Sequence, residues 1–242
     1  MSDPSPVIVS LDPAALLSLM RLSSPALPIG GFSYSQGLES AIDAAWVRTE
    51  ADVRDWITSL LHANIGQFDA PLCMALFRAV AADDHEQAAC LHERWLASRE
   101  TAELRAETLQ MGQSLLQMLA GLELEPALAA RVDSLRSAGE CALPLAWGLA
   151  ARAFGLEPLA ALAAWCWAWL ENQVMAAIKT VPLGQQAGQR LFSALRPALA
   201  SVLEHAAGPT VVDLPTRWSN FAPGFAIASA RHETQYSRLF RS

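Results

Sequence analysis

The sequence predicts an all-α protein: a single multi-helix domain followed by a basic, aromatic C-terminal tail. Three observations lead to this prediction. Ala and Leu, both strong helix formers, together make up about a third of the chain. Apolar residues recur at spacings of three and four over most of its length, which is the period of an amphipathic helix. We find no stretch of convincing length that alternates as a β-strand does.

Composition excludes several classes of protein. A chain that is 52% hydrophobic and 17% charged is too apolar for a disordered protein. A net charge of −7 argues against nucleic acid as a partner, because phosphate binding needs a basic surface. The longest apolar run, residues 158–170, is too short for a membrane span and predicts a buried helix. The four scattered cysteines and the polar start MSDPSP predict reduced thiols in a cytoplasmic protein.

Local signals place the first elements. Asp12 followed by proline predicts a helix start, and that helix should end near residue 22. Residues 23–37 contain two prolines and three glycines, which predicts a loop. The loop is unusually apolar, so it is either a contact surface or packed against the domain. Thr49 and Asp52 form a capping-box pattern before the clearest amphipathic helix, which reaches Phe68.

The remaining helices follow from breakers and periodicity. Asp69 and the nearby Pro71 predict a new helix start, which Asp83 and Asp84 should end. In the helix over 100–121, Glu107 belongs to the polar face opposite the apolar stripe. Further helices are predicted over 85–97, 139–154, 157–180 and 185–206, the last with a kink or interruption at Pro197.

The C-terminal end differs in character from the rest. We expect a helical domain over residues 10–210 and a partner-binding tail over 211–242. Residues 217–242 contain four arginines and a single glutamate, within a chain that is acidic overall. Such a basic, aromatic tail either folds back on the acidic body or docks on a partner, and its charge does not distinguish the two.

The sequence lacks the motifs of common catalytic and metal centres. There is no phosphate-binding P-loop, and no local motif supplies a nucleophile with its base. The five histidines are scattered, and His85 and His92 lie two helical turns apart, too far for one ion. Solvated or capping histidines are therefore expected. We predict no catalytic residue, no metal ligand and no cofactor, and hence a protein that is not an enzyme.

Lys179 is unusual, because the other sixteen basic side chains are all arginine. At the end of a helix its charge either complements the helix dipole or is offered to a partner's phosphate or carboxylate. Gly184 and Gly188 are four residues apart. They either allow the backbone of a partner to approach closely or serve packing between helices of this chain. The polar residues that start the next helix are Gln185, Gln186, Gln189 and Arg190.

Five separated segments resemble the urease accessory protein UreF family. They are LSSPALPIGGFSYSQGLE (22–39), DAPL (69–72), AELRAE (102–107), KTVPLGQQAGQR (179–190) and ETQYSRLFRS (233–242). The similarity runs from about residue 14 to the C-terminus, in the family's order and spacing. Chance agreement of five segments is implausible, so the chain is identified as a member of this family.

The resemblance implies a function. UreF-like proteins are all-α, cytoplasmic homodimers that act with UreD (also called UreH) and the GTPase UreG. Together these chaperones insert nickel into apo-urease, whose active-site lysine is carbamylated. The family member is a scaffold that contacts nickel only indirectly, and its C-terminal tail orders when UreD binds. The alternative is a GTPase-activating factor that supplies a charge to UreG in trans.

The resemblance also suggests which residues meet which partner. The expected UreG-facing residues are Lys179, Gln185, Gln186, Gln189 and Arg190. Because aromatic and arginine side chains dominate interface energies, the expected UreD-facing residues are Phe225, Tyr236, Arg238, Phe240 and Arg241. The apolar loop supplies a third set: Pro28, Phe32, Tyr34 and Gln36.

Overall fold

A computed structural model describes residues 12–208 and 218–242. Within these ranges the chain is an all-α domain without a β-strand, as predicted. The N-terminal segment MSDPSP, Arg217 and the expected domain limits at residues 10 and 210–211 lie outside the described residues.

The helices follow one another with short connections. Two irregular elements accompany them, a 3₁₀ turn at Gly31–Ser33 and a π-helical segment at Leu61–Asp69. The α-helices are α1 (Pro13–Leu22), α2 (Leu38–Asp43), α3 (Glu50–Leu60), α4 (Ala70–Ala81), α5 (His85–Ala97), α6 (Ala102–Ala120), α7 (Pro126–Ala138), α8 (Leu143–Ala153), α9 (Pro158–Thr180), α10 (Gln185–Ala207) and α11 (Pro223–His232).

The predicted helix starts at Asp12 and Thr49 are confirmed by their hydrogen bonds. The Asp12 carboxylate accepts from the backbone N–H of Ala15 at 2.7 Å. Thr49 Oγ1 accepts from the N–H of Asp52 at 3.2 Å, and the Asp52 carboxylate accepts from the N–H of Thr49 at 2.9 Å. These side chains satisfy N–H groups that have no partner inside the first helical turn.

The predicted helix start at Asp69 is confirmed in position, since α4 begins at Ala70, but the Asp69 side chain does not cap the helix. The backbone continues from α3 through the π-helical segment into α4, so no free helix end exists there for Asp69 to cap. Asp69 is instead buried and ion-paired with Arg99 at 2.7 Å. Burial raises the pKa of Asp69, and the Arg99 guanidinium opposes that shift. A carboxylate removed from water needs such a partner, which came from a residue distant in sequence.

Three helices, α2, α7 and α11, were not predicted. The only buried residues of α7 are Leu128 and Val132, so its apolar stripe is too weak to stand out in the sequence. Its start is nonetheless well defined, because the Glu125 carboxylate accepts from the N–H groups of Ala127 and Leu128. α11 lies in the region that the sequence suggested as a tail.

The core is built around α9, which packs against α1, α2, α4, α8 and α10. Its apolar first half is the buried helix that the sequence predicted. Trp147 of α8 is 1% exposed, and its indole N–H donates to the carbonyl of Ala161 at 3.1 Å, so the buried polar atom is satisfied. Within the described ranges, no helix is long and apolar enough to cross a membrane.

Helix α6 meets the segment before α8 at a point where only glycine fits. A Cβ added to Gly112 would overlap the carbonyl oxygen of Cys141 and approach the carbonyl carbon of Ala142 to 2.8 Å. Both obstacles are backbone atoms, which cannot rotate away. α6 therefore depends on Gly112 for its closest approach to the core.

We expect Gly112→Ala to lower the free energy of unfolding by about 2–3 kcal/mol, because overpacking against backbone forces helices apart. Urea unfolding followed by circular dichroism measures the change. Gly121→Ala at the end of the same helix is the matched control. Its added Cβ would meet only the Met118 carbonyl oxygen at 3.4 Å, so its effect should stay within about 0.5 kcal/mol. Equal stabilities of the two variants would contradict the close approach at Gly112.

Candidate partner-binding site

Residues 218–242, called here the C-terminal segment, lie against the helical body. At its start, Trp218 packs edge-on against Phe68 with ring centroids 6.5 Å apart, and the Arg94 guanidinium lies 4.9 Å from the Trp218 ring. The N–H of Ser219 donates to the carbonyl of Gln67 at 3.1 Å. The π-helical segment thus forms part of the surface that holds the start of the C-terminal segment.

Helix α11 then packs on α2. The hydroxyl of Ser229 forms a 2.9 Å hydrogen bond with the hydroxyl of Thr101, and both side chains are buried. Gly37 allows the approach, since a Cβ there would lie 3.0 Å from the backbone nitrogen of Ser229. Its φ of +76° also favours glycine.

His232, the last residue of α11, is fully buried between two carboxylates. Its Nδ1 lies 2.6 Å from Glu103 Oε2, and its Nε2 lies 3.2 Å from Glu39 Oε2. The expectation of a solvated or capping histidine is therefore wrong for His232. Its partners are 129 and 193 residues away along the chain, so no local pattern could have revealed them.

The same two glutamates hold the end of the C-terminal segment. The Glu39 carboxylate accepts from the backbone N–H groups of Leu239 at 2.7 Å and Phe240 at 3.0 Å. The Arg238 guanidinium donates to Glu103 Oε1 at 2.7 Å. Charge-assisted bonds of this kind are stronger than bonds between neutral groups.

A third glutamate, Glu107, lies one helical turn after Glu103. It is 3% exposed, which contradicts its predicted place on the polar face of α6. Its carboxyl group forms 2.6 Å hydrogen bonds with the Gln36 amide and with the Ser242 hydroxyl. Burial raises the pKa of Glu107 to about 7, although these two hydrogen bonds lower it. The C-terminal segment covers what would otherwise be the polar face of the helix.

The apolar loop is packed against the domain. Tyr34 is 5% exposed, and its carbonyl accepts from the Asn172 amide at 2.9 Å. Burial raises the pKa of Tyr34, with Glu107 adding to the shift and Arg241 opposing it. Gln36 is half-buried and accepts from the Trp169 indole N–H at 2.7 Å. Of the four loop residues singled out in the sequence, Pro28 is exposed and Phe32 is partly buried.

The expected UreD-facing residues divide into two groups. Phe225 and Phe240 are 8% and 6% exposed and belong to the core, so they are not open to a partner in this conformation. Tyr236, Arg238 and Arg241 are exposed. The segment also exposes three apolar side chains that no sequence pattern distinguished: Phe221, Ile227 and Leu239.

The expected UreG-facing residues all lie on the surface at the junction of α9 and α10. Lys179 is exposed, and its Nζ lies 5.5 Å from the centre of the Phe240 ring. Arg190 forms an exposed ion pair with Glu50 at 2.6 Å. At Gly188 the missing side chain leaves room for Ile178, whose Cδ1 would lie 2.6 Å from an added Cβ. Packing between α9 and α10 therefore explains the glycine at this position. Also exposed are Gln185, Gln186 and Gln189.

The described residues offer little to a resident metal ion. In these ranges no group of three His, Cys, Asp or Glu side chains is placed to hold one. Burial raises the pKa of the Cys141 thiol to about 12, which disfavours the thiolate that binds metals. A cavity of about 80 Å³ beneath the loop, enough for a few waters, is lined by Trp95, Trp165 and Trp169 among others.

Comparison with known proteins identifies the family. The family model UreF matches residues 47–196. Over 228 residues the chain is 52% identical to the urease accessory protein UreF of Azoarcus sp. (strain BH72), covering 94% of this chain and 95% of that protein. It is 49% identical to the protein of the same description from Dechloromonas aromatica (strain RCB), covering 94% and 97% respectively. This chain therefore belongs to the UreF family of urease accessory proteins.

Proposed function

We propose that this protein is a non-catalytic scaffold in urease maturation. It bridges UreD (UreH) and the GTPase UreG, so that nickel is delivered to apo-urease, and it works as a cytoplasmic homodimer. Family membership carries the proposal, since the relatives are described as urease accessory proteins. The absence of a catalytic motif from the sequence is consistent with a role that depends on binding.

The outer face of the C-terminal segment supports a UreD-facing surface there. Phe221, Tyr236 and Leu239 are 78%, 104% and 74% exposed. Large apolar side chains gathered on one short segment are typical of a protein interface. Arg238 and Arg241, which flank Leu239 in the sequence and are exposed, would provide polar contacts at its rim.

The junction of α9 and α10 supports a UreG-facing surface. It combines the exposed ammonium of Lys179 with a row of exposed glutamines and Arg190. The guanidinium of Arg190 is already paired with Glu50, whereas the Lys179 ammonium contacts only an aromatic ring among the interactions described above. Lys179 is therefore the better candidate for a charged group on the partner.

The UreD surface can be tested by removing its most exposed side chains. Tyr236→Ala combined with Leu239→Ala should weaken binding of cognate UreD by about 2 kcal/mol or more, close to a thirtyfold rise in Kd. Leu239 replaces the buried Phe240 in this pair, because truncating Phe240 would also disturb the core. Titration calorimetry measures the affinity, and light scattering after size-exclusion chromatography reports whether the dimer and its complex form.

The matched control is Cys90→Ala with Glu93→Ala, an exposed pair at the same spacing on α5. This pair should leave the affinity for UreD unchanged. Wild-type affinity in the Tyr236/Leu239 variant would remove the segment from the UreD interface. Failure of the wild-type chain to bind UreD at all would contradict the scaffold proposal.

Lys179→Ala should leave the fold intact and weaken binding of UreG by about tenfold, as expected for loss of one charged interface contact. Lys179→Arg keeps the positive charge and should retain most of the affinity. Thermal unfolding of both variants is the control. A melting temperature well below that of wild type would show that Lys179 instead serves stability, through the helix dipole or its contact with Phe240.

The exposed ammonium of Lys179 also motivates a second candidate function, activation of GTP hydrolysis by UreG. A charge supplied in trans should accelerate hydrolysis by about a thousandfold or more, and Lys179→Ala should abolish most of the gain. The assay compares UreG alone with UreG plus the wild-type chain, with UreD present in both. Unchanged hydrolysis together with intact binding would exclude the activator and leave the scaffold.

A further inference from the structure

We propose that UreD binds across a composite patch, in which Trp46 of the helical body lies beside Ile227 and Arg231 of α11. The inference rests on the proposed function, because it takes UreD to be the partner of the C-terminal segment. It adds that UreD contacts the body as well as the segment. Binding of UreD then stabilises the segment in its place on the body.

Trp46 is an exposed aromatic side chain of the body, just after the end of α2. It is 43% exposed, although large aromatic side chains are usually buried. The preceding residue, Ala45, has a φ of +60°, a left-handed conformation that is uncommon for residues other than glycine. The chain turns there, and the backbone N–H of Trp46 donates to the Ala41 carbonyl at 2.9 Å. The backbone of Trp46 is thus held by α2, while much of its indole faces solvent.

Helix α11, which packs on α2, supplies the other part of the patch. The guanidinium carbon of Arg231 lies 5.2 Å from the centre of the Trp46 ring, within the range of a cation–π contact. Ile227 lies one helical turn before Arg231 on the same face of α11 and is also exposed. The other exposed residues of this helix are Pro223, Gly224 and Ala230. The outer face of α11 is therefore apolar apart from the charge of Arg231.

The charge of Arg231 indicates the chemistry of the partner. Arg238 is paired with Glu103, whereas Arg231 forms no ion pair within residues 12–208 and 218–242 and contacts only the Trp46 ring. Tryptophan and arginine are the side chains most enriched among those that dominate interface energies. The surface that fits this patch is apolar and places a carboxylate opposite the Arg231 guanidinium.

The position of Trp46 links partner binding to the order of the segment. Ile227 belongs to the same segment as the exposed side chains that we assign to the UreD surface. A partner that touched the segment alone would bind it equally well on or off the body, and would not shift that equilibrium. Trp46 lies beside α11 only while the helix is packed on α2. Contact with both therefore gives UreD a higher affinity for the packed state.

The affinity for purified cognate UreD tests the patch. In the full-length chain, Trp46→Ala and Ile227→Ala should each raise Kd about tenfold, as expected for truncation of a central interface side chain. Arg231→Glu should raise Kd at least as much, because it places a like charge opposite the partner's carboxylate. Arg231→Lys keeps the positive charge and should retain most of the affinity. Titration calorimetry measures these values.

Trp167→Ala is the matched control, since it removes another exposed tryptophan of the body. Trp167 is 37% exposed on α9 and stacks on Phe192 of α10. Its loss should leave the affinity for UreD unchanged. Circular dichroism confirms that each variant is folded. If Trp46→Ala fails to fold, Ile227→Ala and Arg231→Glu decide the affinity test, because both side chains are exposed.

Hydrogen–deuterium exchange tests whether contact with the body orders the segment. Saturating UreD should raise the protection of α11 amides about tenfold or more in the wild-type chain. In Trp46→Ala, with UreD again at saturation, the gain over the same variant without UreD should be largely lost. Ile227→Ala should keep the gain at saturation, because it removes a contact with the segment and leaves the contact with the body.

The outcomes separate this inference from the proposed function. A wild-type chain that does not bind UreD would contradict the scaffold itself. Wild-type binding with an unchanged Kd in Ile227→Ala and Arg231→Glu would overturn the composite patch and leave the scaffold standing. An equal gain in α11 protection in wild type and Trp46→Ala would also overturn the patch, since UreD would then contact the segment without the body.

Discussion

The attachment of the C-terminal segment depends on one constraint: carboxylates removed from water must be paired. Glu39 on α2 and Glu103 and Glu107 on α6 lie beneath the segment, and each forms hydrogen bonds with groups that the segment supplies. His232, Arg238, two backbone N–H groups and the Ser242 hydroxyl are those groups. An unpaired buried charge lowers the free energy of unfolding by several kcal/mol. The helical body therefore needs the hydrogen-bond donors of the segment, and the segment is held in place by the carboxylates of the body.

This dependence joins regions that are far apart in sequence. The loop before α2 supplies Gln36, whose amide group forms hydrogen bonds with both Glu107 and the Trp169 indole on α9. The same loop supplies Ser35, whose backbone N–H donates to the Ser242 carbonyl at 2.8 Å. The loop, α9 and the last residue of the chain therefore form one network. Movement of the segment changes the hydrogen bonding of the loop as well as its own.

The two proposed partner surfaces approach each other at one contact, between Lys179 and Phe240. Phe240 of the segment is buried, yet its ring centre lies 5.5 Å from the exposed Lys179 ammonium at the end of α9. Tyr236 and Leu239, which precede Phe240 in the same segment, are exposed. A partner that binds the segment would thus act close to the residues proposed to meet UreG. This proximity suits a scaffold that must hold two proteins together.

The sequence by itself determined the fold class, most helices and the family. Periodicity, the caps at Asp12 and Thr49 and the apolar run in α9 are local features, whose effects reach only a few residues along the chain. Helix α7 was not predicted because it buries only two side chains. Asp69 does not cap α4 because the π-helical segment runs directly into that helix, which the sequence pattern does not reveal.

Only the tertiary structure decided which charged residues are functional candidates. Nothing near Glu107 or His232 in sequence distinguishes a buried, paired side chain from a solvated one. Their partners lie 71 to 193 residues away and become neighbours only after the helices pack. Burial likewise assigned Phe225 and Phe240 to the core and left Tyr236 and Leu239 at the surface. The physical reason is that desolvation and ion pairing depend on distances in space, which a local pattern does not encode.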